Sequence, residues 1–288
     1  MQLRHILAAT DESEAGRQAV RTAVALAAQV SGRVSVLRVI PEGVPGRVIV
    51  AGPGQPPGER GKEDVSALAY LRRWLEAGVL SPDELAIAEL AIASGLPGIE
   101  ICRFAEQAQA DLIVVGRKRH SPMARLLLGD TADAVARRSR VPCLFVPPGS
   151  AKPTTVLVAL DGSERGMSVL IQACDFARDT GAAVTAVTVE RRPAGEPLEL
   201  VPAVPVTRSA LLQTRVNQVL RSEGFREAPL TVGQGDVVER VVSEINHTGA
   251  DILAIGYHRG GPPGIMEAGS NARRLAHVVP SAVLTIPL

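Results

Sequence analysis

The chain has 288 residues, enough for two domains; 46% are apolar, only 2% are aromatic, and the formal net charge is +1. That near-neutral charge calls for neither a nucleic acid nor an acidic membrane as partner, and the scarcity of rings argues against a stacking platform for single strands. No apolar run approaches the ~18 residues of a membrane span, and the start, MQLRHILAATDES, enters an apolar segment directly instead of reading as a signal peptide.

Residues 4–10 (RHILAAT) read as a strand that ends at Asp11. Ser13 or Asp11 can cap the helix that follows. Its apolar positions Ala19, Val20, Ala23, Val24, Ala27 and Val30 keep helical spacing, and Gly32 is expected to end it. RVSVLRVI is a second strand, which makes a right-handed βαβ unit. Residues 41–62 (PEGVPGRVIVAGPGQPPGERGK) are dominated by Gly and Pro and read as a long surface loop, with a lid over a ligand as the alternative. A phosphate-binding P-loop fails there, because Pro56 stands where the first glycine must be and Glu63 where a hydroxyl must bind metal. A helix over 63–80 carries Val65, Leu68, Leu71, Leu75 and Val79 on one side, with Trp74 as a packing anchor. A third strand over 85–94 leads through Gly95 into a helix (LPGIEICRFAEQAQA). Then come strand 111–116, a loop, a helix from Thr131 to Ser139 and strand 143–147.

The whole order then repeats. TVLVALDGSERG answers HILAATDESEAG at an offset of 150, and ADILAIG answers ADLIVVG at an offset of 140, so the first copy carries about ten extra residues in its middle. Asp161 matches Asp11, and Gly181 is set against Gly32. The expected division is a first repeat over 1–148, a linker over 149–153 and a second repeat over 154–288. Cys102, Cys143 and Cys174 form no C-x-x-C pair and read as buried free thiols, which fits a reducing, cytoplasmic setting.

Each repeat thus reads β-α-β-α-β-α-β-α-β, an open, mostly parallel five-stranded sheet with helices on both faces. Ligands of such sheets bind beyond the carboxyl ends of the strands, where strand order reverses. With the first strand central, that crevice opens between strands one and four. In the first repeat it collects Ala9, Thr10, Asp11 and Gly116; in the second, Ala159, Leu160, Asp161 and Gly256. The aspartates can hold a ribose or serve only as helix caps. Gly129-Asp130-Thr131 and Gly269-Ser270-Asn271 each open a helix, whose free N–H groups and dipole suit a phosphate. Between residues 116 and 140 the first repeat has seven Lys or Arg against two Asp, which is either a solvated face or an anion or partner site. No general base stands beside a nucleophile, Gly162 to Gly166 is not a nucleophile elbow, and the five histidines have no metal spacing.

The strand ends ATDES and ALDGS, the strands ADLIVVG and ADILAIG, and the closing segments VPCLFVP and VPSAVLTIP together resemble the universal stress protein family in its tandem form. The resemblance implies a Rossmann-like fold of the adenine nucleotide alpha hydrolase type, strand order 3-2-1-4-5 in each repeat. It implies an adenine nucleotide such as ATP, with Mg2+, and a stress-response or regulatory role. The family's phosphate signature, G-x2-G-x9-G-[S/T], is matched in the second repeat by Gly256, Gly269 and Ser270, with Arg259 in place of the second glycine. In the first repeat Gly116 and Gly129 match, Arg119 replaces the second glycine, Asp130 replaces the hydroxyl residue, and Thr131 is a substitute hydroxyl one place on. Val39 and Val189, late in the second strand of each repeat, complete the expected sites. The second repeat is ranked the better binder. Slow hydrolysis of bound ATP stays open, and the alternative is an interaction module whose phosphate sites have degenerated. The two repeats are expected to pack about a pseudo-two-fold axis through their terminal strands, with a homodimer of chains on top.

Overall fold

A computed structural model describes residues 2–41, 44–53, 62–117, 129–150, 152–190, 206–226, 230–258 and 270–288. The first half runs β1 (His5–Thr10), α1 (Glu14–Val30), β2 (Arg33–Ile40), β3 (Val48–Ala51), α2 (Lys62–Glu76), α3 (Pro82–Ile87), β4 (Ala88–Ser94), α4 (Pro97–Gln107), β5 (Leu112–Gly116), α5 (Asp130–Arg138) and β6 (Cys143–Val146). The second runs β7 (Thr155–Leu160), α6 (Glu164–Thr180), β8 (Ala183–Glu190), α7 (Val206–Ser222), β9 (Leu230–Gln234), α8 (Val237–Thr248), β10 (Ile252–Tyr257), α9 (Ser270–Val278) and β11 (Ala282–Pro287).

The strands form one sheet of 11 in the order β3-β4-β2-β1-β5-β6-β11-β10-β7-β8-β9. The two sheets expected, one in each repeat, are thus joined into one. The ladder between halves is β6 against β11, antiparallel, with Leu144 opposite Leu284. Within each half the pairs are parallel except β3 with β4. One correction is β3 itself. Val48, Ile49, Val50 and Ala51 lie in the segment read as loop, yet they pair with β4 from Ala93 back to Leu90. The β-branched run was masked by the Gly and Pro around it.

Alternation along β1 shows how the core is built. Ile6 and Ala8 face one layer, with α1 and α2, and Leu7 and Ala9 face the other, with α4 and α5. Each layer continues across β6 and β11 into the second half, so the halves share both cores. Helix α1 buries Ala19, Val20, Ala23, Val24 and Ala27, the stripe read from spacing. Its left-handed cap is Ser31 (φ 51°), whose counterpart is Gly181 (φ 67°). Gly32 lies one place beyond, where a Cβ would stand 2.9 Å from the Arg4 carbonyl oxygen. The pairing of Gly181 with Gly32 is therefore corrected to Gly181 with Ser31.

Two aspartates, directly before β5 and β10, are tethers. Asp111 Oδ2 accepts from the backbone N–H groups of Arg4 and His5 at 2.8 and 2.9 Å. Asp251 Oδ2 does the same for Thr154 and Thr155 at 2.8 and 3.1 Å. Each fixes the start of the central strand, and so fixes where the far end of that strand delivers Asp11 or Asp161. The basic stretch is partly used inside the molecule. Arg117, 2% exposed, donates to the carbonyls of Ala276 at 2.8 Å, Val279 at 2.5 Å and Ser281 at 3.0 Å. It thereby closes the carboxyl end of α9 from the other half.

Candidate functional site

Strand β1 ends in Thr10 and Asp11, and the chain must turn at once into α1. Ser13 makes that turn: its Oγ accepts from Gly16 N–H at 3.2 Å, and Asp11 Oδ1 accepts from Ser13 N–H at 3.1 Å. The second half repeats this, with Gly166 N–H to Ser163 Oγ at 3.0 Å and Ser163 N–H to Asp161 Oδ1 at 2.9 Å. The serine is thus the cap, and the aspartate holds the serine. Oδ2 of each aspartate accepts no hydrogen bond among the described residues. Glycine is required at the third member, because a Cβ on Gly16 would lie 2.8 Å from Asp11 Oδ1 and one on Gly166 would lie 2.6 Å from Asp161 Oδ1. The spacing D-x-S-x-x-G was present twice in the sequence and was the missed signal.

In the first half, Ala9, Thr10, Asp11, Val39, Gly116, Gly129, Asp130 and Thr131 all border one cavity of about 590 Å³ beyond the carboxyl ends of β1 and β5. Its apolar wall is Leu37, Val39, Ile101 and Val115. Helix α5 starts at the wall of this cavity, from Gly129, with no side-chain cap on its first N–H groups. Asp130 and Asp133 lie in that first turn. Asp133 is buried, with Oδ2 2.7 Å from Arg137 Nη2. In the second half, Ala159, Leu160, Asp161, Val189, Gly256 and Asn271 border a cavity of about 380 Å³. Leu288 narrows it by packing beside Gly256. Both volumes fall within the roughly 300–1,000 Å³ of small-molecule sites.

Arg119, Arg259 and Gly269 lie outside the described residues, as does the side chain of Ser270, which opens α9. Two residues of the first cavity had no signal in the sequence. Arg273 and His277 come from α9 of the other half, which the sheet continuous across the antiparallel β6 and β11 ladder carries to this cavity.

Gly116 has a packing role as well as a place in the cavity. A Cβ there would stand 2.1 Å from the Ala15 carbonyl oxygen, because the first turn of α1 crosses the end of β5. The cysteines are remote from this chemistry. Burial pushes the thiols up, to about 11 for Cys102, about 12 for Cys143 and about 12 for Cys174. All three are free and buried, as expected. Among the described residues no group of three or more His, Cys, Asp or Glu is placed to hold a metal ion, and no helix is long and apolar enough to cross a membrane.

The model of the universal stress protein family matches residues 2–147 and again 153–287. A universal stress protein from Archaeoglobus fulgidus has a similar structure over 100% of this chain and 99% of its own, with a TM-score of 0.73 and 18% identity. A functionally unknown protein from Pseudomonas aeruginosa aligns over 99% of this chain and 92% of its own, with a TM-score of 0.61 and 16% identity. At such identities the likeness is one of fold. A universal stress protein of Methanocaldococcus jannaschii is 42% identical over 52 residues, and that match spans 18% of this chain and 31% of the relative.

Proposed function

Because the chain belongs to the universal stress protein family, whose model matches both of its halves, we propose that it is a regulatory protein that binds an adenine nucleotide of the ATP type in its clefts, without fast catalysis. One observation carries this reading. In each half the strand-end aspartate, the glycine of the fourth strand and the start of the following helix border a single cavity at the point where strand order reverses. The division of labour follows from the chemistry of the walls. Leu37, Val39, Ile101 and Val115 offer an apolar slot for a base. The Oδ2 of Asp11 is available to a ribose hydroxyl, and the uncapped start of α5 suits phosphate. In the second half Val187, Val189, Asp161 and Asn271 stand in the corresponding places. Mg2+ would arrive on the nucleotide's own phosphates, held by the nucleotide more than by the chain.

The sequence favours the second half. The roomier cavity and Arg273 make the first half an equal candidate, and we assign nucleotide binding to both. The test is a thermal-shift titration with ATP, ADP and AMP on the unmutated chain and on Asp11→Ala and Asp161→Ala. Each substitution is expected to remove part of the stabilisation. A shift that survives the double substitution would place the site elsewhere.

A second reading, an interaction module with degenerate phosphate sites, draws on two observations. Asp130 and Asp133 put carboxylates in the first turn of α5, and Gly116 is required by packing whether or not a ligand binds. It predicts no shift with any nucleotide. The expected homodimer would need a surface other than β6 and β11, since these strands pair with each other within the chain.

A further inference from the structure

The first cavity is walled by both halves of the chain. Among its described lining residues the carboxylates are Asp11, Asp130 and Asp133, all from the first half, and the one formal cation is Arg273, from α9 of the second. An anion entering this cleft without Arg273 would meet, at the start of α5, the carboxylates of Asp130 and of Asp133, the latter paired through Oδ2 with Arg137 at 2.7 Å. Arg273 Nε lies 3.6 Å from Asp133 Oδ1, and His277 Nε2 of the same helix lies 3.9 Å from it. At those separations neither is hydrogen-bonded there, and Asp133 Oδ1 accepts no hydrogen bond although the residue is only 7% exposed. The Arg273 side chain is 56% exposed, so packing does not lock it against the carboxylate. Its helix, by contrast, is held in place, because Arg117, the residue directly after Gly116, closes the carboxyl end of α9 through three carbonyls.

We propose that the first cleft is a composite site, in which Arg273 of the second half binds the phosphate tail of a nucleotide seated in the first half. The inference rests on the nucleotide reading above and adds to it the residue that makes the acidic start of α5 acceptable to phosphate. A guanidinium supplies paired N–H donors matched to phosphate oxygens. In this arrangement Asp133 keeps Arg273 near the cleft in the absence of ligand and gives it up to the stronger anion. Asn271 and Ala272 of the same helix border the second cavity, so α9 serves both clefts.

The test is a calorimetric titration of the full chain with ATP and, separately, with adenosine, in an Asp161→Ala background that silences the second cleft. Arg273→Gln is expected to weaken ATP binding at least about tenfold, the loss of a hydrogen bond to a charged group, and to leave adenosine binding unchanged. Arg273→Lys should recover part of the loss. Arg274→Gln is the control on the same helix, because Arg274 pairs instead with Asp236 at 3.2 Å, and it should bind ATP as the background does. Equal ATP affinity in Arg273→Gln and its background overturns the inference and leaves the nucleotide reading intact. An equal loss for ATP and adenosine overturns it as well, since that marks a structural role. Failure of the unmutated chain to bind ATP overturns the nucleotide reading and this inference with it.

Discussion

Gly116→Ala tests whether the signature glycine of the first half is kept by packing. The added methyl would lie 2.1 Å from the Ala15 carbonyl oxygen, 2.2 Å from its carbon and 2.8 Å from Gly16 N. All three are backbone atoms of the first turn of α1, and that turn is pinned by Ser13 and Asp11. No rotamer change can relieve the clash, so α1 must move from β5, and overpacking of this kind costs about 1–3 kcal/mol. At roughly 2–4 °C per kcal/mol, the melting temperature should fall by several degrees. Gly256→Ala is the internal control. There the methyl would meet Leu288 Cδ1 at 2.6 Å and Val169 Cγ2 at 3.0 Å, side-chain atoms that can turn aside. Its cost should stay below about 1 kcal/mol, within the range of tolerated core changes. The assay is differential scanning calorimetry of both variants without nucleotide. A Gly116→Ala protein that melts with the unmutated chain would show that α1 does not press on Gly116, as would equal losses at the two sites.

Arg117→Met strips the carbonyls of Ala276, Val279 and Ser281, in and just beyond the end of α9, of a donor, two of these bonds being buried; with unsatisfied buried acceptors costing about 1–3 kcal/mol each, urea denaturation should report a loss of about 2 kcal/mol or more. For Asp251, burial works to raise the carboxyl pKa, but hydrogen bonds from Thr154 and Thr155 win and hold it below the usual carboxylate range. Its contribution should be present above pH ~4 and vanish as pH falls through the lowered value. Melting curves of Asp251→Asn and the unmutated chain should therefore converge in acid, and a gap that persists at the lowest pH would contradict this. The thiols of Cys102, Cys143 and Cys174 are buried and pushed up to about 11, 12 and 12, so iodoacetamide at pH 8 should label none of them in the native protein and all three in urea. Rapid native labelling of any one, read by mass spectrometry, would count against the packing described.

Much of the fold was legible because it is written in runs of one kind. The apolar segments ending at Thr10, Gly116, Leu160 and Tyr257 are strands buried on both faces, and such strands read as continuous hydrophobic stretches. Val48–Ala51 was not legible, since four residues among glycines and prolines carry too little pattern to separate an edge strand from a loop. The cleft residues drawn from strand ends could be placed from topology alone, because the switch point follows from strand order. Arg273 and Arg117 could not. Their roles arise from contacts across β6 and β11, between residues more than 130 positions apart, and a charged residue in a basic run ordinarily faces water. The aspartates Asp11 and Asp161 were open between cap and ligand. The geometry divides the two oxygens: Oδ1 is engaged by the serine that caps the helix, and Oδ2 accepts no hydrogen bond among the described residues.

Everything said of the clefts turns on whether they take an adenine nucleotide. Isothermal titration of ATP into the purified, unmutated full chain tests it most directly. Saturable binding is expected, with a stoichiometry between about one and two per chain, one for each cleft that is competent. Heats no greater than those of dilution, up to millimolar ATP with Mg2+ present, would contradict it.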